Sequence, residues 1–402
     1  MKYLRRKPIV LLISAVAIAL SPKANCAGQT TPSDSLTIPA TGPNFQEGIE
    51  AIRKGDFPSA EAVFRSMVER RPNSPWAEYW LGVTYLKEHK YAEAERSLLK
   101  GTDLRQNFAE AYNVLGILYD EQQLYSKSES AFSKALAINP KEFNAVYNLG
   151  LSEMKQKKYD QALSRFDELL KVYPNYAEGY LQRGLALDKL KQYLQARSSL
   201  EQYVALRPND ASSHLRLGEV LFRMGQFDRA IKAFQRATSA GPQASQAFSQ
   251  LGFTYYNLGQ YKEAKNAFEE ALALDPGEPS ALLYLGIIYV DEGDKQHART
   301  YLQKIPTSES QYPEAQYYLG YIYVSEGQFE KALPLLESVT RQRADFASAY
   351  YQLSLVYSRL NQASRAQEAL RTFKHLKALE RMQGQHAYYE DRALRPGPPR
   401  AQ

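Results

Sequence analysis

The sequence predicts an all-α chain, a solenoid of about ten 34-residue helix–turn–helix repeats. Three columns of residues carry that prediction. Glycine recurs at Gly48, Gly82, Gly116, Gly150, Gly184, Gly218, Gly252, Gly286 and Gly320, always 34 residues apart, and Ser354 takes the tenth place. Twelve residues after each come Ala60, Ala94, Ser128, Ala162, Ala196, Ala230, Ala264, Ala298, Ala332 and Ala366. Four residues further on stand Phe64, Leu98, Phe132, Phe166, Leu200, Phe234, Phe268, Leu302, Leu336 and Leu370. Only 22 of the 402 residues are glycine, so this register is not chance. A fixed period of this length is the signature of stacked supersecondary units, each too small to bury its apolar face alone.

Within one repeat the spacings define two helices. Leucine precedes most of the glycines, as at Leu81, Leu115, Leu251 and Leu319, and tyrosine often follows three residues later, as at Tyr85 and Tyr255. These positions share one stripe of a first helix, and the Ala and Phe/Leu columns share one stripe of a second. Gly55-Asp56, Gly225-Gln226, Gly259-Gln260, Gly293-Asp294 and Gly327-Gln328 suit the tight turn between them. An aromatic follows most turns, among them Phe57, Tyr91, Tyr125, Tyr159, Tyr193, Phe227, Tyr261 and Phe329, and is expected to plug the gap between helix pairs. Pro72, Pro140, Pro174, Pro208, Pro242 and Pro276 close the second helices. Most of the 30 tyrosines are thereby given structural work. Repeat eight departs: Lys295 replaces the turn-following aromatic and Pro306 falls inside the expected second helix. Proline there removes a backbone hydrogen bond and bends or shortens the helix, so either a hinge between 295 and 313 or simple sequence drift is expected.

Leu251, Gly252, Tyr255, Ala264, Phe268, Ala271 and Pro276 show the pattern in one copy. It resembles the tetratricopeptide repeat family, in an exported bacterial member, over residues 41–380. The expected repeats are 41–74, 75–108, 109–142, 143–176, 177–210, 211–244, 245–278, 279–312, 313–346 and 347–380. The last repeat is expected to continue into a capping helix over residues 364–383, so that 381–402 hold the end of that helix and, from Gly384, a Pro- and Arg-rich tail expected to be disordered. The resemblance implies a right-handed superhelix whose first helices line a concave face where protein segments bind.

Three columns of the first helix share that face, because offsets of −3, +1 and +4 from the glycine are helical neighbours. The −3 column supplies Tyr79, Asn113, Tyr147, Leu181, Leu215, Tyr317 and Tyr351, the +1 column Phe253 and Tyr321, and the +4 column Phe222 and Tyr256. Such an apolar face reads as a partner-binding groove for extended or helical protein segments. The competing reading is that tight curvature buries these columns as core. Asn148 and Arg216 complete the groove candidates. Each matches a single position of the family's carboxylate-clamping pattern, but in repeats that do not cooperate, so that binding mode is not expected.

The leader sets the expected compartment. Met-Lys-Tyr-Leu-Arg-Arg-Lys precedes an apolar run from Ile9 to Leu20. That run is too short for a hydrocarbon core of ~30 Å at ~1.5 Å per residue. Residues 1–27 therefore read as a cleavable signal, 28–40 as a flexible linker, and the mature protein as periplasmic or secreted. Lipid attachment at Cys26, the single cysteine, is disfavoured because Lys23-Ala24-Asn25 stands where a lipoprotein signal carries a Leu-Ala-Gly-like tripeptide.

The formal charge of +6 belongs to the leader. Lys2, Arg5, Arg6, Lys7 and Lys23 all precede the first acidic residue, Asp34, and without these five the 50 Lys and Arg nearly balance the 44 Asp and Glu. Nothing concentrates a basic face for nucleic acid. The five histidines, His89, His214, His297, His375 and His386, are scattered, with no metal-ligand spacing and no nucleophile motif. The expectation is a protein without catalytic residues, metal or cofactor. It is read as a protein–protein interaction scaffold, with an accessory assembly factor for envelope export or polysaccharide secretion as the alternative.

Overall fold

The computed structural model describes residues 43–239, 243–305 and 313–382. The expected signal segment, linker and tail, with Cys26 and Pro306, lie outside the described residues. Two compact units divide the chain, Met1–Leu206 and Arg207–Gln402.

The first unit is a run of helices: α1 (Pro43–Lys54), α2 (Phe57–Arg70), α3 (Pro75–Lys87), α4 (Tyr91–Leu104), α5 (Ala109–Glu121), α6 (Tyr125–Ile138), α7 (Phe143–Lys155), α8 (Tyr159–Val172), α9 (Ala177–Lys189) and α10 (Tyr193–Leu206). The second unit continues the pattern with α11 (Ala211–Arg223), α12 (Phe227–Ala237), α13 (Ala244–Asn257), α14 (Tyr261–Leu274), α15 (Pro279–Asp291), α16 (Lys295–Leu302), α17 (Pro313–Ser325), α18 (Phe329–Gln342), α19 (Ala347–Arg359) and α20 (Ala363–Met382). Odd-numbered helices are the first helices of the repeats and even-numbered ones the second. Each odd helix packs most extensively on the even helix after it. The described residues are all-helical, without a strand.

The glycine and Phe/Leu columns are two halves of one contact. A Cβ built on Gly116 would lie 2.5 Å from Phe132, one on Gly252 2.7 Å from Phe268, and one on Gly286 2.5 Å from Leu302. The first helix thus gives up its side chain so that the large residue sixteen positions later can lie against its backbone. The alanine column does the same for the second helix, with Ala60, Ala94, Ala162, Ala196, Ala230, Ala264, Ala298 and Ala332 all fully buried. Close packing of this kind leaves no room for added methylenes.

The turns are more uniform than their sequences. Gly55, Gly225, Gly259, Gly293 and Gly327 take φ between 70° and 82°, in the left-handed region. The five turns without glycine take the same conformation at His89, Gln123, Lys157, Lys191 and Asn361, with φ from 59° to 62°. The hairpin geometry imposes this backbone whatever the residue, and an L side chain is strained there by about 1–2 kcal/mol. Replacing the exposed Gln123 with glycine should therefore raise stability by about 0.5–1 kcal/mol, the relief less the added unfolded-state entropy. An unchanged or lower urea midpoint would count against that reading.

Tyrosines three residues after the glycine stitch neighbouring hairpins together. The Tyr119 hydroxyl donates to Glu95 Oε1 at 2.6 Å and the Tyr357 hydroxyl to Glu337 Oε1 at 2.8 Å, each on the preceding second helix. Cations cover several of these rings, with Lys265 5.0 Å from the Tyr289 centroid and Arg365 4.4 Å from that of Tyr357. The same cations bridge to carboxylates, Lys265 to Glu292 at 2.8 Å and Arg365 to Glu337 at 3.0 Å. These partly exposed pairs contribute little energy each and chiefly fix register between hairpins.

Two second helices are short. In repeat eight α16 has 8 residues and ends at Leu302, ahead of Pro306. In repeat six α12 has 11 residues and ends at Ala237. There the Thr238 and Ser239 hydroxyls donate to the carbonyls of Gln235 and Arg236.

Candidate interaction groove

Each first helix touches the first helices before and after it within its unit, and this governs which groove candidates remain accessible. In the −3 column, Tyr79, Asn113, Tyr147, Leu215 and Tyr317 are buried. These residues are core, and the expectation that they face a ligand is corrected. The cause is a set of aromatics just before the next first helix. Tyr79 lies 5.4 Å from Phe108, Tyr147 5.6 Å from Tyr176 and Tyr317 4.9 Å from Phe346, centroid to centroid. Those three linker aromatics belong to none of the columns read from the sequence, although they too recur in register. Asn113 and Asn148, both buried, satisfy each other across α5 and α7, with Asn148 Nδ2 donating to Asn113 Oδ1 at 3.0 Å. Tyr256 is buried as well, between the rings of Tyr261 and Tyr284.

The remaining candidates are partly open. Leu181, Arg216, Phe222, Phe253 and Tyr321 are half-buried, and Tyr351 is exposed. Arg216 is occupied by Glu219, donating to its two carboxylate oxygens at 3.1 and 3.0 Å. His214 is buried and its Nε2 lies 3.0 Å from the Pro208 carbonyl, a packing role.

What stays open differs between the units. In the first, Leu151 and Met154 of α7 and Leu181 and Leu185 of α9 form half-buried aliphatic patches, with exposed Lys155 and Lys189 at the helix ends. Lys155 is paired with Asp120. Beside it, burial raises the Glu121 carboxyl, against the pull of His89, Lys87 and Lys155. Burial also lowers the Lys87 ammonium, and Glu121 opposes that shift.

In the second unit the open residues are more aromatic. Phe222 of α11 and Phe253 of α13 lie 5.3 Å apart, and Phe253 lies 4.9 Å from Tyr284 of α15. Val290, Tyr321 and Val324 are half-buried at the same columns of α15 and α17. An apolar row therefore runs over successive first helices of one unit, with the rings of Phe222 and Phe253 tilted against one another. Such a row offers a partner apolar side-chain contact at regular intervals. Among the described residues no group of three or more His, Cys, Asp or Glu is placed to hold a metal ion. Among them, too, no helix is long and apolar enough to cross a membrane.

Stacked hairpins with a glycine–phenylalanine seam define a helical-repeat protein. Tetratricopeptide repeat profiles match residues 51–118, 109–142, 147–211 and 181–245, and a profile described as the cilia and flagella-associated protein 70 middle TPR-like domain matches 223–380. The chain belongs to the tetratricopeptide repeat family. Among solved structures it is similar to MamA, at 27% identity over 39% of this chain and 91% of that one, with a TM-score of 0.37. It is similar to pilF of Pseudomonas aeruginosa at 20% identity, over 52% of this chain and 96% of that one, with a TM-score of 0.46. A third is YrrB, described as a TPR protein with an unusual peptide-binding site, at 24% identity over 43% of this chain and 90% of that one, TM-score 0.37. No curated protein matches the chain significantly.

Proposed function

We propose that the protein is a non-catalytic interaction scaffold that holds an extended or helical segment of another protein on the first-helix face, outside the cytoplasm. The observation that carries this reading is the row Phe222, Phe253, Val290, Tyr321 and Val324, five apolar side chains that the fold leaves half-open on four successive first helices. Core packing accounts for the buried columns beside them but leaves this row without full cover. A bound segment would close it, and transfer of the remaining apolar surface from water would favour binding at ~25 cal/mol per Å² before the costs of association. An extended segment advances ~3.3 Å per residue, so neighbouring first helices ~10 Å apart each meet about three of its residues.

The exported location rests on the leader, residues 1–27, and N-terminal sequencing of protein recovered from cell fractions tests it. An unprocessed Met1 in the cytoplasmic fraction would end that part of the proposal. The groove is tested by crosslinking the full chain in its own cells and comparing captured proteins with those of a Phe253→Ala, Tyr321→Ala variant. Partners lost by the variant at unchanged helical content are expected, and an identical set of partners would remove the groove from consideration. Captured barrel or synthase subunits would instead favour the accessory role in envelope export or polysaccharide secretion.

A further inference from the structure

We propose that the C-terminal end of the second unit is a second docking surface, beyond the row from Phe222 to Val324, that accepts an acidic amphipathic helix in the place of an eleventh first helix. The repeat array supplies its own control. Tyr317 in repeat nine is 1% exposed, and its counterpart Tyr351 in repeat ten is 42% exposed. In the next column Leu355 is 38% exposed, where Ile287 of repeat eight is 1% exposed and Phe253 and Tyr321 are half-buried. Nineteen residues after the glycine position, Ala271 and Val339 are fully buried, yet Phe373 on α20 is only half-buried, leaning on Tyr351 at 5.3 Å. Within the second unit, the repeats before the last bury both the column of Tyr351, at Leu215, Ser249, Leu283 and Tyr317, and the column of Phe373, at Ala237, Ala271, Ile305 and Val339. The open face therefore continues the interface that joins the repeats of this unit, and the described residues leave it uncovered.

Charge names the occupant. Helix α20 carries Arg365, Arg371, Lys374, Lys377 and Arg381 against Glu368 and Glu380. Arg365 is tied to Glu337, and Lys377 to Glu380 at 2.6 Å. Arg371 shares its column with Gln235, Gln303 and Glu337, whose side chains all reach a tyrosine hydroxyl on the following hairpin. Lys374 shares its column with Leu136, Leu170 and Leu272, which are buried or half-buried. Both cations therefore lie on the side where a further helix would pack, beside an apolar strip of Tyr351, Leu355 and Phe373. A second copy of this chain would bring its own Arg371 and Lys374 against them. The segment 383–402 offers Arg392, Arg395 and Arg400 against Glu390 and Asp391, so it brings no acidic surplus either. A separate helix of about the 13 residues of α19, apolar on one stripe and acidic along its flank, satisfies both the strip and the cations.

The test uses the full chain and two synthetic helical peptides with the same apolar stripe, one flanked by glutamate and one by lysine. The glutamate peptide is expected to bind, and the lysine peptide to bind about tenfold more weakly or not at all. Arg371→Glu with Lys374→Glu, and separately Leu355→Asp, should each weaken the glutamate peptide by about tenfold or more at unchanged helical content. Phe253→Ala, in the groove, should leave it unaffected, so failure here and failure of the groove reading are distinct results. Equal binding of the two peptides, no binding, or loss only with Phe253→Ala overturns the proposal. A dimer in sedimentation that Leu355→Asp dissociates would assign the face to a second copy. Binding that appears only after removal of residues 383–402 would assign it to the tail.

Discussion

Replacing Phe268 with alanine should lower the stability of the second unit by about 3–5 kcal/mol, the range for deleting a fully buried phenylalanine. Phe268 is fully buried, lies across the backbone of Gly252 and stacks at 5.8 Å on Tyr284 of the next hairpin. Its loss removes one contact within the repeat and another between repeats, and the surrounding helices collapse only partly onto the void. The partner glycine sharpens the test. Gly252→Ala alone should destabilise, because the new Cβ would meet Phe268 at 2.7 Å. In the Phe268→Ala background the same change should become neutral or stabilising, since alanine exceeds glycine in helix propensity by about 1 kcal/mol and the obstruction is gone. Chemical denaturation followed by circular dichroism reads all three variants. If Gly252→Ala destabilises equally in both backgrounds, the two columns are not halves of one contact.

Period and pairing were legible in the sequence because they depend on contacts inside one hairpin. Gly116 and Phe132, or Gly286 and Leu302, meet across a single turn, and the constant spacing records that meeting. The turns were half-legible: Gly225 announces a left-handed backbone, whereas Lys157 is forced into one by the helices on either side. Shortening of α16 fits Pro306, while α12 ends at Ala237 with no proline inside the expected helix to announce it. The groove was the least legible. A helical wheel places Tyr79, Tyr147 and Tyr317 on one face, but how far the next hairpin covers that face is a property of interhelical spacing. Phe108, Tyr176 and Phe346 close it from a linker position that the helix pattern does not weigh.

That distinction separates two tyrosines only four residues apart. Tyr317→Ala should cost about 3–5 kcal/mol, in the manner of other large buried aromatics. Tyr317 is 1% exposed and packs its ring 5.1 Å from Tyr318 and 4.9 Å from Phe346, so its removal opens a cavity between α17 and the hairpin that follows. Burial raises its hydroxyl pKa above the usual tyrosine value. Tyr321→Ala, on the same helix, should change stability by only about 0.5–1 kcal/mol, because the half-buried ring already meets solvent. Partner capture should respond in the opposite order once folding is held constant: at a temperature where both variants remain helical, Tyr321→Ala loses binding and Tyr317→Ala keeps it. Equal melting temperatures for the two variants would mean that the −3 column is not core. Equal loss of binding would mean that the first-helix face cannot be divided into a packed column and an open one.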